Sequence, residues 1–403
     1  MSDSQTIASL DIGTYKMQVL VGEIVDNNSL HIIGMGRARS EGVKKGDIID
    51  IRKAALRAQE AIVNAEKSNS ASLKSVCLGI SGTHVMGFRN LGSANVSGAD
   101  GLVRKADVER ACEDARSKNL PEGRTYICRI CCGFYLDGQF TVSPLGKKAN
   151  RIDAEFWMMH GDSEKIYDAM HLVESFGLEV DHLMFSGICS AKTVTTPVQR
   201  DDGVVCIDIG CGTSDYAFYK HGKPIQAGVV PVGGDHLTND ISLGLKLSPK
   251  NSESLKIRFG AAAPDESDRN KSVWAVGDKQ IGDRKISLYS MRKIMNARLA
   301  ELFELIRQDL GEYVEDGAIR SLVLTGGTSR IAGICELAQE IFGVPCSNGR
   351  FNAAIKEELR EPEFATSIGL LEHALSDSLL ELRNRRKGIF EETADIFRKI
   401  FNR

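Results

Sequence analysis

The chain has 403 residues, of which 42% are hydrophobic and 26% charged, and its net charge at pH 7 is −3. This composition excludes intrinsic disorder and leaves room for two or more domains. A near-neutral charge without a basic, aromatic patch argues against nucleic-acid binding. No stretch approaches 18 apolar residues and no leader precedes the first strand, so we expect a cytoplasmic protein whose cysteines stay reduced.

The first predicted element is a strand that delivers Asp11 to a glycine turn. The segment Ser9–Lys16 reads SLDIGTYK, and a second apolar strand follows from Met17 to Ile24. Backbone N–H groups can surround an anion only where no Cβ blocks its approach, which explains the glycine. The phosphate-binding candidates of this hairpin are Gly13, Thr14, Tyr15 and Lys16.

Residues 85–159 are a predicted insertion. The spacing of 197 residues between Asp11 and Asp208 exceeds what one α/β half requires. The segment contains a predicted helix from Arg104 to Lys118 and a strand from Tyr126 to Phe134. Its Cys-x-x-Cys-Cys run lacks a second ligand pair, so we interpret it as a strand with buried thiols rather than as a zinc or redox site.

The hairpin motif recurs as Cys206–Asp215, which reads CIDIGCGTSD. One such turn is more often an ordinary strand end, but two copies that face each other would hold one nucleotide between two halves. A carboxylate beside a polyphosphate needs a cation between them, so the pattern predicts Mg²⁺ reached through water. The phosphate-binding candidates are Gly210, Gly212 and Thr213, and the candidate metal residues are Asp11, Asp208 and Asp215.

The second half begins near Val194 and contains an excursion of its own, residues 234–307. We predict helices from Asp235 to Leu245 and from Tyr289 to Leu310. Beyond the excursion, the strand in Ser321–Ser329 leads into a Gly-Gly turn that would let backbone lie flat against a nucleoside. A helix from Ile334 to Phe342 follows.

The long helix of the excursion carries Arg292 and Arg298 beside an apolar face. A basic rim around an apolar face suits an acidic amphipathic peptide. The alternative is a solvated face on which the arginines pair with Glu301 and Glu304.

The last 21 residues combine a basic leader with an amphipathic helix. From Arg383 onward there are seven Lys or Arg against three Asp or Glu. The apolar side chains after Gly388 fall in an arc of roughly 160° on a helical wheel. This pattern favours an anchor on an anionic membrane surface, and the alternative is a helix docked on the protein itself or on another subunit. The membrane-contacting candidates are Ile389, Phe390, Ile396, Phe397, Arg398, Lys399, Ile400 and Phe401.

In the order hairpin, hairpin, Gly-Gly turn, the chain is similar to the actin-like ATPase superfamily, and nearly its whole length resembles the FtsA family of bacterial cell-division proteins. The resemblance is carried by Gly79–His84, Tyr135–Gly138, Val232–Ile241, Ala297–Phe303 and Gly326–Gly333. Two stretches depart from the family pattern. Ser252–Lys256 replaces A-E-x-L-K, and Cys128–Gly133 replaces a histidine-proline stretch.

The resemblance implies an α/β, actin-like ATPase fold with two related α/β halves around a nucleotide cleft, an inserted subdomain and a C-terminal amphipathic helix. The implied division is as follows: 1–84 with 160–193 and about 355–382, first half; 85–159, inserted subdomain; 194–233 with 308–354, second-half core; 234–307, the subdomain that receives the FtsZ C-terminal peptide; 383–388, basic linker; and 389–403, membrane helix.

The resemblance also implies ATP and Mg²⁺ as cofactors and at most slow ATP hydrolysis, with Asp208 orienting the attacking water. The implied nucleoside contacts are Gly233, Gly234, Glu253, Lys256, Gly326, Gly327 and Ser329, and the implied FtsZ contacts are Arg292 and Arg298.

Such a protein would form filaments at the division septum, on the inner face of the cytoplasmic membrane. It would tether FtsZ there and contact other divisome proteins through the inserted subdomain. The alternatives are an actin-like ATPase of pilus assembly and a soluble sugar or metabolite kinase of the same superfamily.

Overall fold

A computed structural model describes residues 6–25, 29–69, 72–275 and 282–376. The predicted basic linker and amphipathic helix, residues 383–403, lie outside these ranges. Within them, no helix combines the length and apolar character needed to span a bilayer.

The strands and helices follow one another in three stretches of chain. The first contains β1 Thr6–Ile12, β2 Lys16–Val25, β3 Ser29–Arg39, β4 Val43–Lys44, β5 Asp47–Ile48, α1 Ile51–Asn69 and β6 Ser75–Ile80. The second contains β7 Met86–Asn95, α2 Lys105–Arg116, β8 Arg124–Leu136, β9 Gln139–Thr141, β10 Arg151–Asp162, α3 Ser163–Glu174, β11 Glu179–Phe185 and α4 Ser186–Val194. The third contains α5 Pro197–Asp202, β12 Val204–Ile209, β13 Ser214–Lys220, β14 Lys223–Val230, α6 Gly234–Leu245, α7 Pro249–Phe259, β15 Ser272–Ala275, β16 Arg284–Ser287, α8 Leu288–Leu310, α9 Glu312–Glu315, β17 Ser321–Thr325, α10 Ile334–Phe342, β18 Cys346–Asn348 and a last helix, α11, at 365–376.

The two halves are built on sheets of the same topology. The first sheet has the strand order β11-β6-β1-β2-β3, and the second has β18-β17-β12-β13-β14. In each, three antiparallel strands are extended by two parallel ones. The duplication suggested by the two Asp-Ile-Gly motifs therefore extends to the whole sheet.

Two helices carry the chain between the halves. α4 leads from the first sheet toward the second, and α11 returns to the first, where Ile368 and Leu371 pack with Leu20. Gly369 of α11 lies directly on α4, because a Cβ at this position would come within 2.1 Å of the Cys189 carbonyl oxygen. A larger residue at 369 would force the two crossing helices apart.

The inserted subdomain comprises the sheet β7-β10-β8-β9 with α2. One face of the sheet packs on α2, where Ala111 and Phe156 are buried. The opposite face contacts β14 of the second half, and the Trp157 indole donates a hydrogen bond from Nε1 to the Ala227 carbonyl at 3.1 Å. The inserted subdomain thus touches the second half as well as the first.

The excursion of the second half is joined to the second sheet through α8, whose Leu299, Phe303 and Ile306 are buried in one core with β12 and β13. The periodicity predicted α8 and α10, and both helices are present. The pattern missed α7, although its start carries an ordinary helix signal: Ser248 caps the Asn251 N–H, and Pro249 occupies the first helical position.

Candidate nucleotide site

The two Asp-Ile-Gly hairpins close in the same way. In the first, the Gly13 N–H donates to the Lys16 carbonyl at 3.0 Å, and in the second the Gly210 N–H donates to the Thr213 carbonyl at 2.9 Å. Each hairpin connects the central strand of its sheet to the next one, so both turns project at corresponding edges. The structure therefore presents two copies of one turn, each ready to receive an anion.

The two turns meet because Gly212 has no side chain. A Cβ on Gly212 would lie 2.5 Å from Thr14 Oγ1 and 2.8 Å from Lys45 Cα. Thr14 Oγ1 in turn accepts a hydrogen bond from the Gly46 N–H at 3.0 Å. Any side chain at position 212 would therefore separate the halves at this point.

A cavity of about 510 Å³ opens between the hairpins, a volume in the range of small-molecule sites. The predicted residues that line it are Asp11, Gly13, Thr14, Tyr15, Lys16, Asp208, Gly210, Gly212, Thr213, Asp215, Gly234, Glu253, Lys256, Gly326 and Gly327. Gly233 and Ser329 are not part of the lining. Gly233 lies against the Cys211 carbonyl, and Ser329 Oγ donates to the Gly326 carbonyl at 2.7 Å, so both support turns that do line it.

Burial in the cleft alters the charges of the first hairpin. It raises the pKa of Asp11 to about 6, with a lowering effect from Lys16 and a raising effect from Asp208. Burial also lowers the pKa of Lys16 to about 8. The Lys16 ammonium donates to the Gln18 side chain and to the Glu363 carbonyl, which keep it at the cavity wall.

Two further carboxyl groups lie across the cleft, on the second hairpin. Burial raises the pKa of Asp208, whose Oδ2 accepts a hydrogen bond from Thr366 Oγ1 at 3.0 Å. Burial also raises the pKa of Asp215 well above its usual range, and Asp215 Oδ1 accepts from Ser81 Oγ at 2.7 Å. Like charges in a poorly solvated cleft favour protonation unless a cation is present.

These residues fit a magnesium nucleotide. Carboxylate oxygens are hard donors suited to Mg²⁺, which keeps several of its waters when it binds alongside phosphates. Within the described ranges, no three or more His, Cys, Asp or Glu side chains are grouped as a direct metal cage. Gly326, at φ 84°, also has no room for a side chain, since a Cβ would lie 2.3 Å from Asp208 Oδ1.

The far end of the cavity is formed by α7 and the start of α6. Lys256 Nζ lies 2.6 Å from Glu253 Oε2 and donates to the Gly234 carbonyl at 2.9 Å. The altered motif Ser252–Lys256 therefore still places its acidic and basic side chains at the cavity.

The sequence patterns did not indicate several of the residues that line the cavity. Ser81 lies in a stretch that carried the family resemblance but was not assigned to the site. Glu363 and Thr366 follow the last strand, where no motif marked them. Glu363 joins the two halves, because its carboxylate lies 2.9 Å from Arg37 and 3.0 Å from Arg330.

Arg298 and Arg292 lie outside the cavity lining and are both paired. Arg298 Nε contacts Asp240 Oδ2 at 2.6 Å, and a second nitrogen of the guanidinium contacts Glu301. Arg292 donates to Asp268 and, at 3.2 Å, to the Phe259 carbonyl. Their assignment to peptide binding remains a prediction.

Family models match two stretches of the chain. Residues 205–369 match the model described as "Cell division protein FtsA", and residues 82–160 match "SHS2 domain inserted in FTSA". A cell division protein FtsA from Neisseria meningitidis serogroup B is 31% identical over 91% of this chain and 90% of its own length. The FtsA proteins of Bacillus subtilis and Escherichia coli K12 are each 28% identical, over 95% and 94% of this chain and 86% and 92% of their own lengths.

Solved structures share the fold at lower identity. The "PilM-PilN type IV pilus biogenesis complex" gives a TM-score of 0.66 at 15% identity, covering 92% of this chain and 98% of the other. MreB5 of Spiroplasma citri bound to AMPPNP gives 0.56 at 14% identity, covering 95% and 99%. The chain therefore has the actin-like ATPase fold with an inserted subdomain, as its sequence predicted.

The raised pKa of Asp11 predicts a stability change with a definite sign. Because the folded-state pKa of about 6 exceeds the ordinary value of 3.8, the folded protein holds the extra proton between these values, and stability falls as pH rises through them. At pH 7.5 without Mg²⁺ or nucleotide, we expect Asp11→Asn to raise the free energy of unfolding by up to about 3 kcal/mol, since each pKa unit corresponds to ~1.4 kcal/mol. Denaturant melts from pH 4 to 8 measure this gain, which should shrink toward pH 4.

Asp50→Asn is the control, and it should lower the free energy of unfolding at pH 7.5 instead of raising it. The reason is that hydrogen bonds from Lys53 lower the pKa of Asp50 and so favour its charged form. A loss of stability in Asp11→Asn at pH 7.5 would contradict the assigned charge cost.

Proposed function

Because the chain belongs to the FtsA family of cell division proteins, we propose that it binds ATP and Mg²⁺ between its two hairpins, assembles into filaments on the inner face of the cytoplasmic membrane, and tethers FtsZ filaments there. The observation that carries the nucleotide proposal is the cavity of about 510 Å³ between two glycine turns that touch at Gly212 and Thr14. One wall of this cavity belongs to the first half of the protein and the other to the second half, so a ligand bound there contacts both halves.

Different residues of the cleft would have different roles in binding the nucleotide. The backbone donors of both turns, with Thr14 and Thr213, would hold phosphate oxygens, and Lys16 would supply one positive charge. A bound Mg²⁺ would neutralise the polyphosphate and permit all three aspartates to ionise. Asp208 is held in place by Thr366 and is our candidate for orienting a water molecule.

Filament formation would convert weak single anchors into firm attachment. One short amphipathic helix binds lipid only marginally, whereas many helices on one filament act together through avidity. The composition of residues 383–403, with its basic leader and repeated Ile-Phe steps, supports such an anchor. The likeness to a pilus biogenesis complex rests on fold alone, while the relationship to FtsA extends over more than 90% of the chain in sequence.

The excursion at 234–307 is the proposed docking site for the C-terminal peptide of FtsZ. Its described residues expose the apolar side chains of Leu243 on α6, Trp274 on β15 and Leu305 on α8, while the exposed Ile257 on α7 lies at the wall of the cavity. Arg298 lies on the same subdomain with 27% of its side chain exposed and two acidic partners. We propose that an acidic, amphipathic peptide binds here. Its carboxylates would replace Asp240 and Glu301 as the partners of Arg298, and its apolar side chains would cover the exposed apolar surface.

Asp208→Ala tests the nucleotide proposal. We expect ATP affinity in Mg²⁺ to fall at least about tenfold, since a hydrogen bond to a charged group is worth ~1.5–3 kcal/mol. Affinity in EDTA should change much less, because Asp208 acts through the cation. Titration calorimetry under both conditions separates these effects, and Asp181→Ala, an exposed carboxylate on β11, serves as the matched control. Equal affinities for the variant and the parent in Mg²⁺ would remove Asp208 from the site.

Phe397→Glu combined with Phe401→Glu tests the anchor. Because the charges oppose insertion of the apolar face, we expect the variant to stay in the supernatant with anionic liposomes, while the parent pellets in Mg-ATP and recruits an FtsZ C-terminal peptide. Phe397→Leu with Phe401→Leu is the control that keeps the apolar face. Pelleting of the glutamate variant to the same extent as the parent would refute the membrane assignment.

A further inference from the structure

The short hairpin β4–β5 lies where the two phosphate turns and the inserted subdomain come together. Its tip is Lys45–Gly46, with φ of 52° and 80°. Gly46 lines the nucleotide cavity, and its N–H donates to Thr14 of the first turn at 3.0 Å. Lys45 contacts the second turn, since a Cβ on Gly212 would lie 2.8 Å from Lys45 Cα. The tip therefore contacts both nucleotide-binding turns.

The same tip also contacts the turn between β6 and β7, which leads into the inserted subdomain. A Cβ on Gly46 would lie 2.7 Å from Gly82 Cα and 2.9 Å from the Ser81 carbonyl oxygen. The two glycines thus pack backbone against backbone. A displacement of the tip cannot be absorbed here by a side chain changing its rotamer, and it must move residues 81 and 82 as well.

Asp47, next to the tip, joins both chain crossings between the first half and the inserted subdomain. Its Oδ2 accepts a hydrogen bond at 3.0 Å from Thr83 Oγ1, in the turn through which the chain enters the subdomain. The same Oδ2 lies 2.6 Å from Lys165 Nζ at the start of α3, where the chain leaves it. Asp47 Oδ1 lies 3.8 Å from His84 Nε2 and makes no hydrogen bond with any residue that the structure describes. His84 in turn accepts from the Asp162 N–H at 3.1 Å, which links the two crossings directly.

We propose that Asp47 is a positioning residue that transmits the state of the nucleotide cleft to the inserted subdomain. Occupation of the two turns displaces Lys45–Gly46, and Asp47 carries that displacement to Thr83 and Lys165. The inserted subdomain then shifts against β14 of the second half. The inference deepens the proposed function by naming how nucleotide regulates the subdomain, and it rests on nucleotide binding in this cleft.

The chain carries its own reporter of this shift. It has two tryptophans, and Trp157 is buried at the contact with β14, where its indole donates to the Ala227 carbonyl at 3.1 Å. Trp274 is 67% exposed on β15 and can be replaced. In a Trp274→Phe parent, indole emission therefore reports on the contact between the inserted subdomain and the second half.

The experiment records Trp157 emission on addition of Mg-ATP and, separately, the affinity for N-methylanthraniloyl-ATP from the label's own anisotropy. We expect the parent's emission to change, and Asp47→Ala and Lys165→Met to lose most of that change. Because Asp47 is outside the cavity lining, their nucleotide affinity should stay within about threefold of the parent's. If Asp47→Ala folds poorly, Lys165→Met still tests the proposal, because it removes the same ion pair from the other side.

Two controls separate transmission from a general loss of stability. Lys165→Arg keeps the ion pair and should retain the emission change. Glu41→Gln removes an ion pair with Arg57 from the segment just before β4, and should also retain it. An undiminished response in Asp47→Ala or Lys165→Met overturns the inference, as does a parent that binds the labelled nucleotide without any emission change. A parent that binds no nucleotide refutes the proposed function, and this inference falls with it.

Discussion

The contact between Gly212 and Thr14 is the constraint on which the cleft depends. The two residues belong to different sheets, although one core cluster joins these sheets: Leu10 of β1 is buried in it together with Cys206 of β12. The two turn residues can meet only because one of them is a glycine and because α4 and α11 cross with Gly369 against Cys189. Two glycines thus permit the close approach of the halves, one at the turns and one at the crossing helices. The cavity is what remains between them.

The charges of the cleft follow from this closeness. Three aspartates and one lysine are enclosed in a space that excludes most of the water, and each pKa moves in the direction that reduces charge. In isolation this arrangement costs stability. Such a loss of stability is expected of a site that binds a cation and a polyphosphate, since ligand binding stabilises the folded protein and offsets it.

The inserted subdomain contacts both halves of the molecule. At the first half, Asp47 and its partners hold the chain crossings next to the nucleotide turns. At the second half, Trp157 lies against β14, the last strand of its sheet, and donates a hydrogen bond to the Ala227 carbonyl. A subdomain held at both points can respond to a change in the distance between the halves, which a simple appendage could not do.

The sequence predicted the elements whose signals are local. The Asp-Ile-Gly turns, the Gly-Gly turn and the helices α8 and α10 are written in short motifs or in periodic apolar residues, and all are present. The sequence did not indicate the parts that depend on tertiary contacts. Glu363, Thr366 and Gly46 reach the cavity only because α11 and the β4–β5 hairpin fold back toward it, and α7 was missed because its apolar pattern is weak. Arg292 and Arg298 were identified as cations, but their acidic partners on other elements emerged only from the fold.

The most direct test of this account is an experimental structure with Mg²⁺ and a non-hydrolysable ATP analogue. We expect the phosphates between Gly13–Lys16 and Gly210–Thr213, with the metal ion facing Asp11 and Asp208 through water and the nucleoside beside Gly326 and Lys256. A nucleotide bound elsewhere, with both glycine turns still in contact with solvent alone, would contradict the central claim.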